Sequence, residues 1–172
     1  PVVLGIILMY GLMLVVGLLW TRLASRTLID SFAPVEFCTE LIAALIIGIT
    51  FVGCVGLVWK HTFIFRNVEP EFARRLGNLD LRGVVSLAII SSVAEEVFFR
   101  GALQSQLGDW FGTAIGFTIT SLVFGLLHTG PSRAFFAWTA FATVAGFVLG
   151  AAYMMTGNLL VPIIIHFIIL SL

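Results

Sequence analysis

Long apolar stretches alternate with short polar segments along the whole chain. Residues 2–20 carry no charge, and residues 41–59 form a second stretch of the same character. A helix crosses the hydrocarbon core of a bilayer in about 20 residues, at about 1.5 Å per residue. Further stretches of this kind predict helices over residues 84–107, 111–128, 134–156 and 159–172. The pattern therefore predicts an all-α fold, a polytopic membrane helical bundle of about six transmembrane helices with a central polar site.

Turn-forming and capping residues mark the ends of these predicted helices. Asp80 is placed to cap the N-terminus of the third helix. Residues 108–110, Gly-Asp-Trp, predict a tight turn after that helix, and residues 157–158, Gly-Asn, predict another between the fifth and sixth helices. The sixth stretch, residues 159–172, is shorter than a full span, so either it is re-entrant or the chain continues beyond it.

Composition places the chain in the membrane class. Hydrophobic residues make up 60% of the sequence and charged residues only 10%, whereas a soluble domain carries about 25% charged residues. Lys and Arg number nine and Asp and Glu also number nine, so the formal net charge is zero. The apolar composition makes the lipid bilayer the expected surroundings. A chain without an excess of basic residues lacks the electrostatic footprint of a nucleic-acid binder, so nucleic acid is not an expected partner.

The positions of the basic residues predict how the bundle is inserted. The second-to-third and fourth-to-fifth connections share one side, and they hold six basic residues: Lys60, Arg66, Arg74, Arg75, Arg82 and Arg133. Two others, Arg22 and Arg26, lie on the opposite side. The positive-inside rule then predicts a multi-pass protein with both termini in the cytoplasm. A bacterial inner or plasma membrane is the expected location. We expect residues 1–83 to form two N-terminal transmembrane helices with interfacial and basic connections, and residues 84–172 to form the helical core.

A small set of ionisable side chains lies inside the apolar helices: Glu95, Glu96, Arg100, His128 and His166. Each charged group at mid-membrane depth costs at least about 2.5–3.5 kcal/mol, so such groups are expected to face protein or a wet cavity. Glu96 and Arg100 are four residues apart with the acid on the N-terminal side, so they can pair on one helix face. Glu95 lies about 100° further round the helix and needs a partner from another helix. Together these side chains predict a functional site.

Residues of these types support two kinds of hydrolytic chemistry. A carboxylate can take a proton from water, while a neighbouring imidazole shares that proton or donates to an oxyanion. Alternatively, Glu95, His128 and His166 form a three-ligand set for a catalytic zinc, with one position left for water. Both routes end in hydrolysis of a peptide-like carbonyl, and spacing alone does not separate them.

Three motifs carry a resemblance to a known family. Residues 95–100, EEVFFR, have the form EExxxR, and residues 124–128, FGLLH, have the form FxxxH. Residues 156–159, TGNL, followed by Pro162 and His166, resemble a last motif region. In this order they resemble the CPBP intramembrane glutamic endopeptidases, also called the CAAX-protease and bacteriocin-processing or ABI family. The resemblance covers about half of the chain, residues 84–172.

The resemblance implies roles for individual residues of an all-helical intramembrane protease. Glu95 with His128 would activate the attacking water, and His166 would stabilise the oxyanion. The supporting residues would be Glu96, Arg100 and Phe124, the last of which can stack beside His128. The family has been described both as metal-dependent and as glutamate-dependent, so no cofactor is assigned and zinc stays an open alternative.

Position 170 departs from the family pattern. The family has an asparagine four residues after its last histidine, where this chain has Leu170, and a leucine offers no hydrogen bond to an oxyanion. The leading interpretation is an intramembrane endopeptidase that cleaves membrane-associated peptides, either prenylated CAAX-type or hydrophobic ones. One alternative is a catalytically weak relative that acts as a membrane scaffold or a bacteriocin-immunity protein. The other is a proton-coupled membrane carrier that uses Glu95 and the histidines as a relay.

Overall fold

The computed structural model describes residues 2–24, 37–61 and 79–171, together with Val68, Pro70, Glu71, Ala73 and Gly77. Its helices are, in chain order, α1 (Val2–Leu23), α2 (Phe37–His61), α3 (residues 81–111), α4 (Thr113–Leu127), α5 (Ala134–Thr156) and α6 (Leu160–Ser171). No strand occurs among the residues so described. The predicted all-α fold is confirmed.

Three of these helices are long and apolar enough to cross a membrane. The candidate spans are Leu4–Leu23, Cys38–Val58 and Phe135–Thr156, and α4 and α6 are shorter apolar helices. Large apolar side chains of α1 and α2 are exposed, among them Leu8, Leu12, Ile46 and Ile49. Exposing apolar surface to water costs roughly 25 cal/mol per Å², a cost that lipid removes. The chain is a membrane protein built as an α-helical bundle.

The third helix changes its type directly after the acidic pair. It begins as an α-helix, Leu81–Glu96, continues as a π-helix, Val97–Gln104, and returns to an α-helix, Ser105–Phe111. The Ser105 hydroxyl donates to Arg100 O at 2.9 Å, across the wider turn of the π-helix. Because π-helical segments are rare and are often found at functional sites, this segment indicates that the residues around it belong to a functional site.

The end of α3 differs from the sequence prediction. The prediction of a tight turn at residues 108–110 is wrong, because the helix continues through these residues to Phe111. The chain reverses instead at Gly112, whose φ of 94° is a conformation that glycine adopts without steric cost. Gly108 has a packing role, since α4 crosses it closely: a Cβ on Gly116 would lie 2.9 Å from the Gly108 Cα.

Other predicted helix ends are confirmed. Asp80 is the N-cap of α3, and its carboxylate accepts a hydrogen bond from Gly83 N at 2.9 Å. Gly157 ends α5 in the left-handed conformation, with a φ of 66°. Residues 25–36 and most of residues 62–78, on which the interfacial and basic connections were predicted, lie outside the described residues.

The core of the bundle lies where α2 to α6 meet. Its buried side chains are Ala44, Phe99, Phe124, Ala142, Leu149, Ala152, Val161 and Ile165. Helix α1 packs along α3, and α2 packs against α6. The turn between α5 and α6 is itself buried, since Leu159 has no exposed surface and Asn158 donates to Glu40 Oε2 at 2.6 Å. Helix α6 therefore begins inside the bundle, which brings its histidine to the level of the acidic pair on α3.

Candidate active site

The adjacent carboxylates of Glu95 and Glu96 point to different partners. Both residues are buried, with 4% and 0% of their surface exposed. Successive residues of a helix point about 100° apart. Glu96 reaches Arg100 on its own helix, whereas Glu95 reaches histidines of α4 and α6. One carboxylate is thus neutralised by a cation, and the other is directed at two imidazoles.

Arg100 is the fully buried cation that neutralises Glu96. Its Nη1 donates to Glu96 Oε1 at 3.0 Å, and its Nη2 donates to Gly146 O of α5 at 2.9 Å. The same carbonyl accepts a hydrogen bond from Ser121 at 3.2 Å. The guanidinium carbon lies 4.7 Å from the centre of the Phe124 ring, a cation–π distance. These contacts compensate a burial that would cost several kcal/mol for an unpaired ion.

His166 links the two carboxylates. Its Nδ1 lies 2.8 Å from Glu96 Oε1, the oxygen that also accepts from Arg100. Because an ionised carboxylate can only accept, Nδ1 carries the hydrogen of this bond. The other ring nitrogen, Nε2, lies 3.9 Å from Glu95 Oε2. Glu96 therefore fixes both the tautomer and the direction of the His166 ring.

His128 approaches Glu95 from the end of α4, where it is the C-cap residue. Its backbone N bonds to Gly125 O, which leaves Phe124 O free, and its ring Nδ1 donates to that carbonyl at 2.7 Å. Its Nε2 lies 3.6 Å from Glu95 Oε2. The ring centre lies 4.5 Å from that of Phe124 and 6.2 Å from that of Trp138. A backbone bond and two aromatic neighbours thus set the position of this imidazole.

Phe124 is the apolar centre of the cluster. Besides His128, its ring contacts His166 at 5.7 Å and Phe99 at 5.0 Å between ring centres. Helix α5 leaves room for the ring because it has a glycine there: a Cβ on Gly146 would lie 3.2 Å from Phe124 Cδ1. One phenyl ring therefore sets the spacing between the two histidines.

Glu95 Oε2 is the atom on which both imidazoles converge. The Nε2 distances of 3.6 and 3.9 Å are too long for direct hydrogen bonds, and they are spans that a bridging water can cover. Among the described residues, Oε2 is buried without a hydrogen-bond partner. Since both Nδ1 atoms carry hydrogens, each Nε2 faces Oε2, as a lone pair when the ring is neutral and as a donor when it is protonated. Chemically, this arrangement can hold and deprotonate one water molecule.

The zinc alternative for Glu95, His128 and His166 has suitable donor atoms but lacks the geometry. Within the described ranges, no group of three or more His, Cys, Asp or Glu side chains is arranged to hold a metal ion. We therefore derive no step through a metal, and zinc content is a question for measurement.

The cluster opens to its surroundings at His128. The His128 side chain is 21% exposed, whereas those of Glu95 and His166 are 6% and 5% exposed. The helix end that carries His128 also carries two exposed leucines, Leu126 and Leu127, which we call the apolar rim. His128 is therefore the member of the cluster with the most exposed side chain, and it lies at a helix end with exposed apolar surface.

The structure brings Glu95, His128 and His166 together and sets the supporting residues Glu96, Arg100 and Phe124 around them. Leu170, one turn beyond His166, is half-buried.

One contributor to the cluster was missing from the sequence prediction. It is the backbone carbonyl of Gly146, which accepts from Arg100. A backbone carbonyl leaves no signal in the sequence, because every residue carries one.

The fold and the cluster define an α-helical membrane protein with a buried glutamate facing two histidines. The family model described as Type II CAAX prenyl endopeptidase Rce1-like matches residues 78–171, more than half of the chain. The chain belongs to this family, which is the CPBP family that its motifs resemble.

Relatives of this chain occur in bacteria and fungi. The uncharacterized protein YpbD of Bacillus subtilis (strain 168) is 39% identical over 88 residues, which are 50% of this chain and 41% of that protein. The terpene cyclase macJ of Penicillium terrestre is 29% identical over 105 residues, which are 60% of this chain and 40% of that protein. The chain thus spans about two fifths of the length of these relatives. No solved structure matches the chain.

Proposed function

We propose that the chain is an intramembrane endopeptidase in which Glu95 and His128 activate a water molecule for attack on a peptide bond. The observation that carries this proposal is the convergence of two imidazole Nε2 atoms on one buried carboxylate oxygen, at 3.6 and 3.9 Å. Membership of a family described as CAAX prenyl endopeptidases supports the same reaction.

In the first step, the attacking water lies between Glu95 Oε2 and His128 Nε2. One hydrogen points to His128 Nε2, which orients the water oxygen towards the substrate carbonyl carbon. The new carbon–oxygen bond forms as the carbonyl electron pair moves onto oxygen, and the other water proton passes to Glu95 Oε2. Fixed side chains align this attack, so little orientation entropy is left to lose in the transition state.

His166 is the proposed partner of the oxyanion. With Nδ1–H held by Glu96, its Nε2 donates to an oxyanion when the ring is protonated, and the Glu96 carboxylate stabilises that imidazolium. In the second step, the carbon–nitrogen bond breaks while Glu95 returns its proton to the leaving nitrogen. The products are a carboxylic acid and an amine, and Glu95 is again a carboxylate.

We propose membrane-associated peptides as the substrates, prenylated CAAX-type or hydrophobic ones. The support is the helix end that carries His128, because the apolar rim at the same helix end offers apolar surface to an aliphatic chain. A prenyl group favours such a surface over water by roughly 25 cal/mol per Å² buried.

Orientation of the bundle bears on where these substrates would come from. We propose a multi-pass protein of a bacterial inner or plasma membrane with cytoplasmic termini, supported by the distribution of Lys and Arg. His128 precedes Arg133 in the connection between α4 and α5, which this orientation puts on the cytoplasmic side. The substrate peptide would then enter from the cytoplasmic face.

The test is cleavage of defined peptides by the purified chain in detergent. A farnesylated CAAX peptide and its unmodified counterpart are incubated with the protein, and the products are identified by mass spectrometry. Cleavage of the lipidated peptide supports the proposal. Binding without cleavage would favour the scaffold or immunity alternative, and pH-dependent uptake into vesicles without cleavage would favour the carrier.

Terpene cyclisation is a second candidate, because the fungal relative is named a terpene cyclase. Such chemistry uses an acid that protonates a prenyl chain and aromatic faces that stabilise the resulting cation. The cluster has side chains of both types. Glu95 is the acid, and Phe124 and Trp138, whose rings lie near His128, are the aromatic faces. A cyclised prenyl product in the absence of peptide cleavage would favour this candidate over the endopeptidase.

A further inference from the structure

Helix α2 lies outside the part of the chain that the family model matches, residues 78–171, yet it packs against α6. Three of its residues, Glu40, Ala44 and Gly48, are four apart and are at least partly buried. Residues with this spacing lie on one face of a helix. Helix α2 therefore turns one face towards the helix that carries His166.

The two ends of this face contact α6 at different heights. Near the start of α2, Glu40 Oε2 accepts a hydrogen bond from Asn158 Nδ2 at 2.6 Å. Further along α2, a Cβ on Gly48 would lie 2.9 Å from Ile168 Cδ1. The two contacts come in the same order along both helices, so α2 and α6 run side by side in the same direction.

Asn158 is the residue through which Glu40 reaches α6. Its side chain is buried, and its Oδ1 accepts from Leu160 N, at the start of α6, at 2.9 Å. Its backbone N donates to Thr156 Oγ1, at the end of α5, at 3.2 Å. The amide nitrogen of the side chain can only donate, and one of its hydrogens goes to Glu40. One asparagine therefore joins α2 to the end of α5 and to the start of α6.

The position of α6 decides where His166 points. His166 lies two residues before Ile168, which puts the two side chains about 200° apart around the helix. With Ile168 packed against α2, His166 faces α3, where its Nδ1 lies 2.8 Å from Glu96 Oε1. A slide or a rotation of α6 changes this distance, and it also changes the distance from His166 Nε2 to Glu95.

We propose that Glu40 is a positioning residue whose hydrogen bond to Asn158 fixes the start of α6 and so holds His166 against the acidic pair of α3. This inference rests on the proposed function, in which His166 is the partner of the oxyanion. Without the bond, the start of α6 loses its polar link to α2, and the height of His166 is less firmly fixed. Misplacing a reacting group by about 1 Å can cost about 100-fold in rate.

The test exchanges the two partners of this bond. Asn158→Asp keeps a capping oxygen for Leu160 N, but it replaces the donor to Glu40 with a second carboxylate. In the double variant Glu40→Gln with Asn158→Asp, the amide at position 40 donates to the carboxylate at position 158, so the bond is restored in the reverse direction with the same total charge. We expect Asn158→Asp to lower kcat on a lipidated peptide by roughly 10-fold to 100-fold with little change in KM. The double variant should recover most of this loss.

Two single variants of α2 complete the comparison. Glu40→Ala breaks the same bond and leaves Asn158 in place, so it should lower kcat in the same way. Thr39→Ala changes the neighbouring, exposed side chain and should keep the kcat of the wild type. The proposal is overturned by an unchanged kcat in folded Glu40→Ala, by equal losses in Glu40→Ala and Thr39→Ala, or by a folded double variant that recovers nothing.

A measurement on the histidine rings does not depend on turnover. The ring nitrogens are isotope-labelled, and the NMR signal of His166 is identified by its loss in His166→Gln. We expect Glu40→Ala to shift this signal and to leave that of His128, whose Nδ1 is bonded to Phe124 O of its own helix. A His166 signal that stays in place overturns the inference about Glu40. A signal that shifts as expected, in a protein whose wild type cleaves no peptide, would instead count against the proposed function.

Discussion

His166 donates from Nδ1 to Oε1 of Glu96 across 2.8 Å, and this oxygen also accepts from Arg100. One carboxylate oxygen therefore joins α6 to the charged pair on α3. The bond also turns the opposite nitrogen of His166 towards Glu95. The second glutamate of the pair thus acts on the first one through the orientation of a histidine.

This arrangement predicts different consequences for the two glutamates. Glu96→Gln leaves Arg100 buried without a counter-charge and removes the charged acceptor of His166. Breaking a buried pair in this way costs about 3–5 kcal/mol. Glu95→Gln, which breaks no ion pair with Arg100, should change stability far less. Thermal unfolding of both variants in the same detergent checks this, and equal midpoints for the two would show that the glutamates are not divided in this way.

Helix α5 is predicted to tolerate no side chain at position 146. In Gly146→Ala the new Cβ would lie 2.9 Å from Ser121 O and 3.2 Å from Phe124. Overpacking of this kind costs about 1–3 kcal/mol, and it displaces the ring that spaces the histidines. We expect lower thermal stability and slower peptide cleavage.

The matched control for this substitution is Gly53→Ala on α2, where nothing lies within 4 Å of the new Cβ. Alanine in a helix is favoured over glycine by roughly 0.5–1 kcal/mol, so this variant should be neutral or more stable. Equal losses in Gly53→Ala and Gly146→Ala would show that the effect is not due to contact with Phe124.

The sequence singled out the ionisable side chains that the structure brings close together. Charged side chains inside an apolar stretch are costly in a membrane, which singles out Glu95, Glu96 and Arg100. Glu96 and Arg100 are four residues apart, so they lie on the same helix face and can pair. The capping residue Asp80 and the turn at Gly157 could be predicted because local chemistry determines such helix ends. The helix ends and the Glu96–Arg100 pair each depend on residues close in sequence.

The levels of the histidines along the bundle could not be predicted. With a third helix over residues 84–107, straight helices put Glu95 near the middle of the membrane and His128 near one face. The reversal at Gly112 changes this, because Glu95 lies 17 residues before it and His128 lies 16 residues after it. Two helices that leave one turn bring such residues to the same height. His166 reaches that height because α6 starts at a buried turn, a tertiary feature that no local pattern reports.

Whether the chain binds zinc can be measured directly. A zinc ion held by Glu95, His128 and His166 would copurify at about one ion per chain and would be lost in His128→Ala. We expect far less zinc than that, and activity that survives treatment with a chelator. Elemental analysis of the purified chain decides, and stoichiometric zinc that disappears in His128→Ala would refute this expectation.

Replacing Leu170 with asparagine is predicted to raise kcat. Leu170 is one turn beyond His166, and residues four apart share a helix face. Removing one oxyanion donor costs roughly 10²–10³ in kcat in other enzymes, so supplying one should help. We expect Leu170→Asn to raise kcat by roughly 10-fold, less than the full value because the surroundings are not shaped for the amide. If kcat of the folded variant does not rise, position 170 does not serve the oxyanion.

The measurement that tests the central claim most directly is the cleavage rate of Glu95→Gln beside the wild type. Both proteins are compared on one fluorogenic lipidated peptide at equal folded concentration. A general base contributes about 10²–10⁴ in rate, and glutamine cannot accept the water proton. We predict that the wild type cleaves the peptide and that Glu95→Gln is slower by at least about 100-fold. A folded Glu95→Gln variant that cleaves as fast as the wild type would contradict the assignment of Glu95 as the base.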